Sequence, residues 1–297
     1  MPSSRNYIGR AAALLLLPVL TACGHQTRLA ETDTAPSARL QQDVRTHQGL
    51  DATLWMQTSA EFQAAAWQNF LFASLRLEQA LEDPGWTAAL EQDGAEVADL
   101  PPAIIVDIDE TIIDNSPYQA FLVTEGLTYE PISWDRWVRR SEAVALKGAR
   151  EFLNRAESLG VTVFYVTNRD AEHEPATRRN LERERMPIDS SRDVVLMKGE
   201  HGWDSDKTSR RRFIAESHRI LLLLGDDLND FVSAKEPAPE PRLALAEQHR
   251  DLWGTKWFLF ANPGYGSWEQ SLFGMDYSLS QEEKQRLKSR HLRPVEF

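Results

Sequence analysis

The chain has 297 residues, 42% of them hydrophobic and 26% charged, enough for one large α/β domain with an accessory segment or for two small domains. Its net charge of −12 argues against a nucleic acid polymer as a routine partner, because a basic face supplies most of the non-specific affinity for phosphate polymers. A small phosphorylated ligand is not excluded, since it needs only a local pocket of cations and backbone N–H donors.

At the N-terminus, Arg5 and Arg10 precede a short apolar stretch, Ala11 to Leu20, that is too short to span a bilayer and reads as an export signal over residues 1–22. Leu20-Thr21-Ala22-Cys23 resembles a bacterial lipobox, in which the cysteine is lipidated and becomes the mature N-terminus. Cys23 is the only cysteine, so no disulfide can form within the monomer. Removing residues 1–22 takes away Arg5 and Arg10 and leaves −12 − 2 = −14. Gly24 follows the cysteine where an Asp would signal inner-membrane retention. The likeness to Gram-negative lipoproteins therefore implies an outer-membrane anchor, facing the periplasm or the cell surface.

Residues 23–47 are polar and read as a flexible tether. Residues 48–100 form an N-terminal helical accessory region. In it Trp55, Phe62, Ala66, Phe70, Leu71 and Leu75 recur at helical spacing, predicting one long amphipathic helix over 54–81, closed near Asp83-Pro84-Gly85. The core, 101–270, alternates apolar runs at 103–108, 161–166, 193–197, 220–224 and 256–260 with helical patterns. Ala149, Phe152, Leu153 and Ala156 make one helical stripe ending at Gly160, and further helices are expected at 174–185, 207–217 and 242–250. Short, nearly all-apolar strands separated by helices predict a doubly wound parallel sheet, whose ligands bind at the carboxyl ends of the strands. Residues 115–146 read as a cap-like insertion. The tail, 271–297, carries one last helix capped by Ser280 and Glu283.

The first strand runs into Asp107-Ile108-Asp109-Glu110-Thr111, and carboxylates at i and i+2 point to one side of extended chain. The second ends in Thr167-Asn168-Arg169, where a hydroxyl and backbone N–H groups can hold phosphoryl oxygens. After the third comes Ser205-Asp206-Lys207-Thr208, and the fourth ends in Gly225-Asp226-Asp227-Leu228-Asn229-Asp230-Phe231. Carboxylates suit a hard, oxygen-seeking cation such as Mg²⁺. A phosphate monoester is a dianion that reaches a carboxylate nucleophile only when a divalent cation and a lysine neutralise the repulsion. In this reading Asp107 and Asp226 share Mg²⁺ with the Asp109 backbone carbonyl, Lys207 screens the phosphoryl group, and the Asp109 side chain moves protons. Lys198 competes with Lys207, which is preferred for its place at a helix start.

The series Asp107-x-Asp109-x-Thr111, Thr167, Lys207 and Gly225-Asp226-x-x-x-Asp230 resembles the haloacid dehalogenase superfamily of phosphatases. The stretch 105–111 with Asn115 and Tyr118, together with 225–231, is similar to the two signatures of class C bacterial acid phosphatases. These are lipid-anchored enzymes of the lipoprotein e type that act as 5′-nucleotidases. Stretches 55–62, 133–138, 166–169 and 262–269 agree, so the likeness runs from about Leu54 to Glu269. The resemblance implies a haloacid dehalogenase-like Rossmannoid sheet with a small helical cap, an aspartyl-phosphate mechanism and an acid pH optimum. It makes Asp107 the nucleophile, Asp109 the general acid/base, Asp226 a metal ligand and Asp230 the acid that holds Lys207. Thr167 joins the catalytic set, with Asn168 in support. Asp227 stands where the family usually has Asn, and is expected either to bind metal through water or to add negative charge.

For the substrate, Trp134, Tyr265 and Tyr118 lie in segments that, by resemblance, ring the entrance, where a nucleobase would gain roughly 1–3 kcal/mol per stacking contact. Trp134 can equally be core, with Trp137 its packing partner. The leading expectation is hydrolysis of 5′-mononucleotides; the alternatives are a broad-specificity phosphatase or phosphotransferase and a non-catalytic surface-binding lipoprotein. The runs Arg178-Arg179, Arg183/Arg185 and Arg210-Arg211-Arg212 read as solvated helix faces and His173-Glu174 as a surface pair. The histidines show no metal-binding spacing, and no Arg-His-Gly, G-x-S-x-G or G-x-x-x-x-G-K-[ST] motif is present.

Overall fold

The computed structural model describes residues 47–296. The export signal, Cys23 and all of the tether but His47 lie outside the described residues. Two helices open the described chain, α1 (Leu50–Thr58) and α2 (Ala60–Glu82), in place of the single long helix expected from spacing. Ser59 separates them. Its backbone is extended, with ψ 137°, and its side chain accepts from Phe62 N, so it caps the second helix and ends the first. The stripe that α2 buries is Phe62, Ala66, Phe70, Ala73, Leu77 and Ala80, while Leu71 and Leu75 face outward. Spacing from Trp55 went astray because the break resets the helical phase.

The centre is a five-stranded parallel sheet built from β1 (Pro102–Val106), β4 (Thr162–Asp170), β5 (Val195–Lys198), β6 (Arg219–Gly225) and β7 (Trp257–Leu259). The order is β5-β4-β1-β6-β7. The chain builds outward from β1 through β4 to β5, then returns to the other side of β1 with β6. The direction of winding thus reverses between β1 and β6, and ligands bind at such a switch point. Every residue of β6 is buried, as its Ile-Leu-Leu-Leu-Leu run requires of a strand covered on both faces.

Helices α5 (Ala149–Ser158), α6 (Glu174–Arg183), α7 (Thr208–Ala215) and α8 (Pro239–Gln248) fill the connections, within three residues of the expected starts. Gly160, with φ +77°, follows α5 where the sequence placed its cap. Helix α2 packs on α5, with Phe70 against Phe152 and Phe260. Two short strands, β2 (Ile113–Asp114) and β3 (Val144–Ala145), pair antiparallel, Ile113 with Ala145 and Asp114 with Val144. They close the neck of the insertion that holds α3 (Ser116–Glu125) and α4 (Pro131–Arg140). Beyond the sheet lie α9 (Ser267–Ser271) and α10 (Gln281–Ser289), the latter started by the expected Ser280–Glu283 capping box. No helix among the described residues is long and apolar enough to cross a membrane.

Two surface assignments are overturned. Arg210 and Arg211 are 0% and 1% exposed, because each is surrounded by acceptors: Arg210 by Asn168 Oδ1 and the carbonyls of Thr167 and Asp204, Arg211 by Glu91 and the carbonyls of Asn229 and Asp230. His173 is buried too, with its Nε2 3.0 Å from Asp135 on α4.

Candidate active site

Strand β1 stops at Val106, and Asp107 follows at once, its N–H donating to Leu224 O of β6 at 2.9 Å. That bond sets Asp107 directly across from the residues ending β6. A tight turn follows: Ile112 and Ile113 N both donate to Ile108 O, and Glu110 takes a left-handed φ of +59°, uncommon for a side chain with Cβ. The turn brings Thr111 back, so that its hydroxyl donates to Asp107 Oδ2 at 3.1 Å. The other oxygen of Asp107 pairs with Lys207 Nζ.

Lys207 stands just ahead of α7 and also pairs with Asp230 at 2.6 Å, while Lys198 pairs instead with Asp170. Burial works against the charge of Lys207, but Asp107 and Asp230 outweigh it and hold its pKa above the usual value. Asp230 is fixed in turn: it accepts from Asp227 N at 2.9 Å. A Cβ on Gly225 would overlap the Asp230 side chain, so glycine here makes room for that carboxylate and not for an unusual φ.

Carboxylate oxygens of Asp107, Asp226 and Asp230 lie within 4.8 Å of one another. Burial raises the pKa of Asp107 to about 7, with Asp230 and Asp109 adding to the effect and Lys207 opposing it. Burial first, then Asp107 and Asp230, raises Asp226 likewise. Asp226 is held by Asn262 Nδ2 at 2.8 Å and Thr111 Oγ1 at 3.4 Å, with no cation paired to it among the described residues. Crowded hard-oxygen donors lacking a counter-charge fit a divalent cation. Asp230 has one oxygen on Lys207 and the other on a fixed backbone N–H. Asp107 Oδ2, by contrast, meets a hydroxyl that can rotate away, and Asp226 has no paired cation among the described residues, so these two are the side chains available to one.

Thr167, Asn168 and Arg169 owe their placement to an irregularity. Between Val166 and Asp170, β4 advances four residues while β5 advances two, from Leu196 to Lys198. The two extra residues bulge the chain and re-aim its side chains. Thr167 Oγ1 accepts from Arg169 N at 3.1 Å and keeps its own proton to donate. Asn168 is exposed at this edge, yet its amide is engaged, donating to Ser205 O at 3.0 Å and accepting from Arg210 at 2.7 Å.

The family model described as HAD superfamily, subfamily IIIB (Acid phosphatase) matches residues 14–268. The chain belongs to that acid phosphatase family. Two structures of a class C acid phosphatase from Bacillus anthracis, one with tungstate bound, are 33% identical to it. They match at TM-scores of 0.75 and 0.74 over 84% of this chain and 98% of theirs. Acid phosphatase 1 of Solanum lycopersicum is 27% identical over 133 residues, 44% of this chain, and the chain spans about half the length of that relative, 52%.

Within this acid phosphatase framework, Asp227 turns away from the cluster. Its carboxylate accepts from Asn229 N, from Ser267 N at 2.7 Å and from the Ser267 hydroxyl, and lies 3.5 Å from Arg242. The extra charge is thereby used to fasten the start of α9. Tyr118 is buried, its hydroxyl 2.9 Å from Ser133 and its ring edge-on to Trp134, which is half-buried on α4. The Tyr265 hydroxyl donates to Glu110, which is fully buried and pushed up to about 8 by burial, then by Asp109. Tyr118 is thus packed inside the cap, between α3 and α4, and Tyr265 braces the first turn through its hydroxyl.

Sequence reasoning passed over Arg169 as a site residue. Its Nη2 donates to Asp109 Oδ1 at 2.7 Å and its Nε to Oδ2 at 3.0 Å. It also overlooked Asn262, whose amide holds Asp226, and the role of Glu110. The available signal was a run of polar groups after an apolar strand, as in Thr167-Asn168-Arg169; the bulge that aims them leaves no mark in composition.

Proposed function

We propose that the protein is a Mg²⁺-dependent acid phosphatase that hydrolyses 5′-mononucleotides through a phosphorylated Asp107. We further propose that a lipid on Cys23 anchors it to the outer membrane. The observation that carries the reaction is the buried Asp107 carboxylate, held by Lys207 and Thr111 beside Asp226 at the switch point of the sheet. A carboxylate fixed on both oxygens loses no rotational freedom when it attacks. The tungstate in the Bacillus anthracis relative is a tetrahedral oxyanion, as phosphate is.

Asp107, Asp226 and the Asp109 carbonyl would hold the Mg²⁺, which supplies charge neutralisation for the approaching dianion. An Asp107 oxygen attacks phosphorus, and the phosphorus–oxygen bond to the leaving group breaks. Asp109 gives its proton to the departing alkoxide. Lys207 and the Thr167 hydroxyl stabilise the equatorial phosphoryl oxygens. Water then attacks the same phosphorus, Asp109 takes its proton, and the acyl-phosphate bond to Asp107 breaks, freeing phosphate and the carboxylate.

Trp134 is the aromatic face proposed for the base: it is half-buried, and Tyr118, Tyr129 and Arg169 surround it. Purified protein with Mg²⁺ is expected to release phosphate from AMP, and EDTA to abolish the release. Asp107→Asn should fold and show no turnover; substantial residual activity refutes the phosphoenzyme. Trp134→Ala should raise KM for AMP about tenfold or more while sparing a small alkyl phosphate. An equal loss on both refutes stacking.

A further inference from the structure

Arg169 is 1% exposed in its side chain, and a buried guanidinium is costly unless its donors are matched. Here they are. Nε and Nη2 grip Asp109, and Nη1 donates to Thr177 Oγ1 of α6 at 3.1 Å. The guanidinium carbon also lies 5.7 Å from the centre of the Trp134 ring. The geometry points to Arg169 as a positioning residue that orients the Asp109 carboxylate so that a single oxygen, Oδ2, carries the proton to the leaving group and from water.

The two oxygens of Asp109 are not equivalent. Oδ1 accepts from Arg169 Nη2 at 2.7 Å, from Asn115 Nδ2 at 2.8 Å and from Arg169 Nε at 3.2 Å. Among the described residues Oδ2 accepts only from Arg169 Nε, at 3.0 Å. Oδ1 is therefore saturated, and Oδ2 retains the lone pair that proton exchange needs. Asn115 cannot turn its amide over, because Trp137 Nε1 donates to its Oδ1 at 2.8 Å and so aims Nδ2 at Asp109 and Glu110. Trp134 and Trp137 both belong to α4. The helix that would cover the leaving group thus also sets the group that protonates it. A lysine at position 169 would keep the charge but lose the fork that grips both carboxylate oxygens.

This inference deepens the phosphatase reading and rests on it, so the test separates the two. A nitrophenolate leaves without protonation, whereas an alkoxide does not. Wild type, Asp107→Asn, Arg169→Lys and Thr177→Val are compared by kcat/KM on 4-nitrophenyl phosphate and on a small alkyl phosphate, with Mg²⁺. Arg169→Lys is expected to lower the alkyl value about 100-fold and to raise the aryl-to-alkyl ratio at least about tenfold. Thr177→Val should move the ratio the same way by a smaller factor. Equal losses on the two esters overturn the inference, since a merely structural arginine would damage both alike. If Arg169→Lys fails to fold, the ratio in Thr177→Val decides alone. Wild type inert on both esters, or Asp107→Asn still active, overturns the reaction itself, a different result.

Discussion

Around the end of β1, the carboxylates of Asp107, Asp109, Glu110, Asp226 and Asp230 form ion pairs only with Lys207 and Arg169 among the described residues, five negative groups to two positive. This imbalance makes the metal-free protein sensitive to pH. Asp107 is pushed from 3.8 to about 7 and Glu110 from 4.5 to about 8, in both cases chiefly by burial. An acid whose folded pKa exceeds its unfolded one binds more protons when folded, so stability is fully present below about pH 4 and is lost as pH rises through 7 to 8. Metal-free protein is therefore expected to melt at a lower temperature at pH 8 than at pH 5, and Mg²⁺ to recover the difference. Glu110→Gln, which removes the group titrating highest of the two, should flatten the decline in a melting series between those pH values. Parallel curves for wild type and variant would show that Glu110 contributes nothing to it.

At the scale of elements, strand ends carried most of what the sequence revealed. The apolar runs before Asp107 and Asp226 are buried strands, and the polar residues directly after them form the cluster, because chain direction alone decides which end of a parallel sheet they occupy. What stayed hidden depends on partners distant in sequence. The arginines at 210 and 211 look like any exposed basic run until Thr167, Asn168, Asp204, Glu91 and Asp230 close around them. Ser59 reads as one polar residue inside a helical pattern until its cap to Phe62 is seen. The turn after β6 yields a sharp expectation. Gly225→Ala would force Asp230 aside and release Lys207 from one of its two carboxylates. A fall in kcat of about 100-fold on AMP is expected, together with a lower melting temperature, because the overlap reaches Asp230 Cβ and a buried ion pair is lost. Wild-type kcat in that variant would mean Asp230 does not hold the lysine in place.

For the whole molecule, export and anchoring are the roles proposed for the chain's N-terminal part, while residues 47–296 hold the fold and the cluster. Anchor and chemistry should then be separable. Cys23→Ser expressed in a Gram-negative host is expected to appear in the detergent-free fraction with unaltered kcat on AMP, while wild type partitions with membranes. Equal partitioning of the two would discard the lipid.

The paired strands β2 and β3 pin the two ends of the α3–α4 insertion side by side. A segment that leaves and rejoins its scaffold at one spot can change length without moving the sheet beneath. Descendants of such a gene could trade the outer part of this excursion and alter which esters are accepted, as long as Asn115 and Trp137 stay to aim at Asp109.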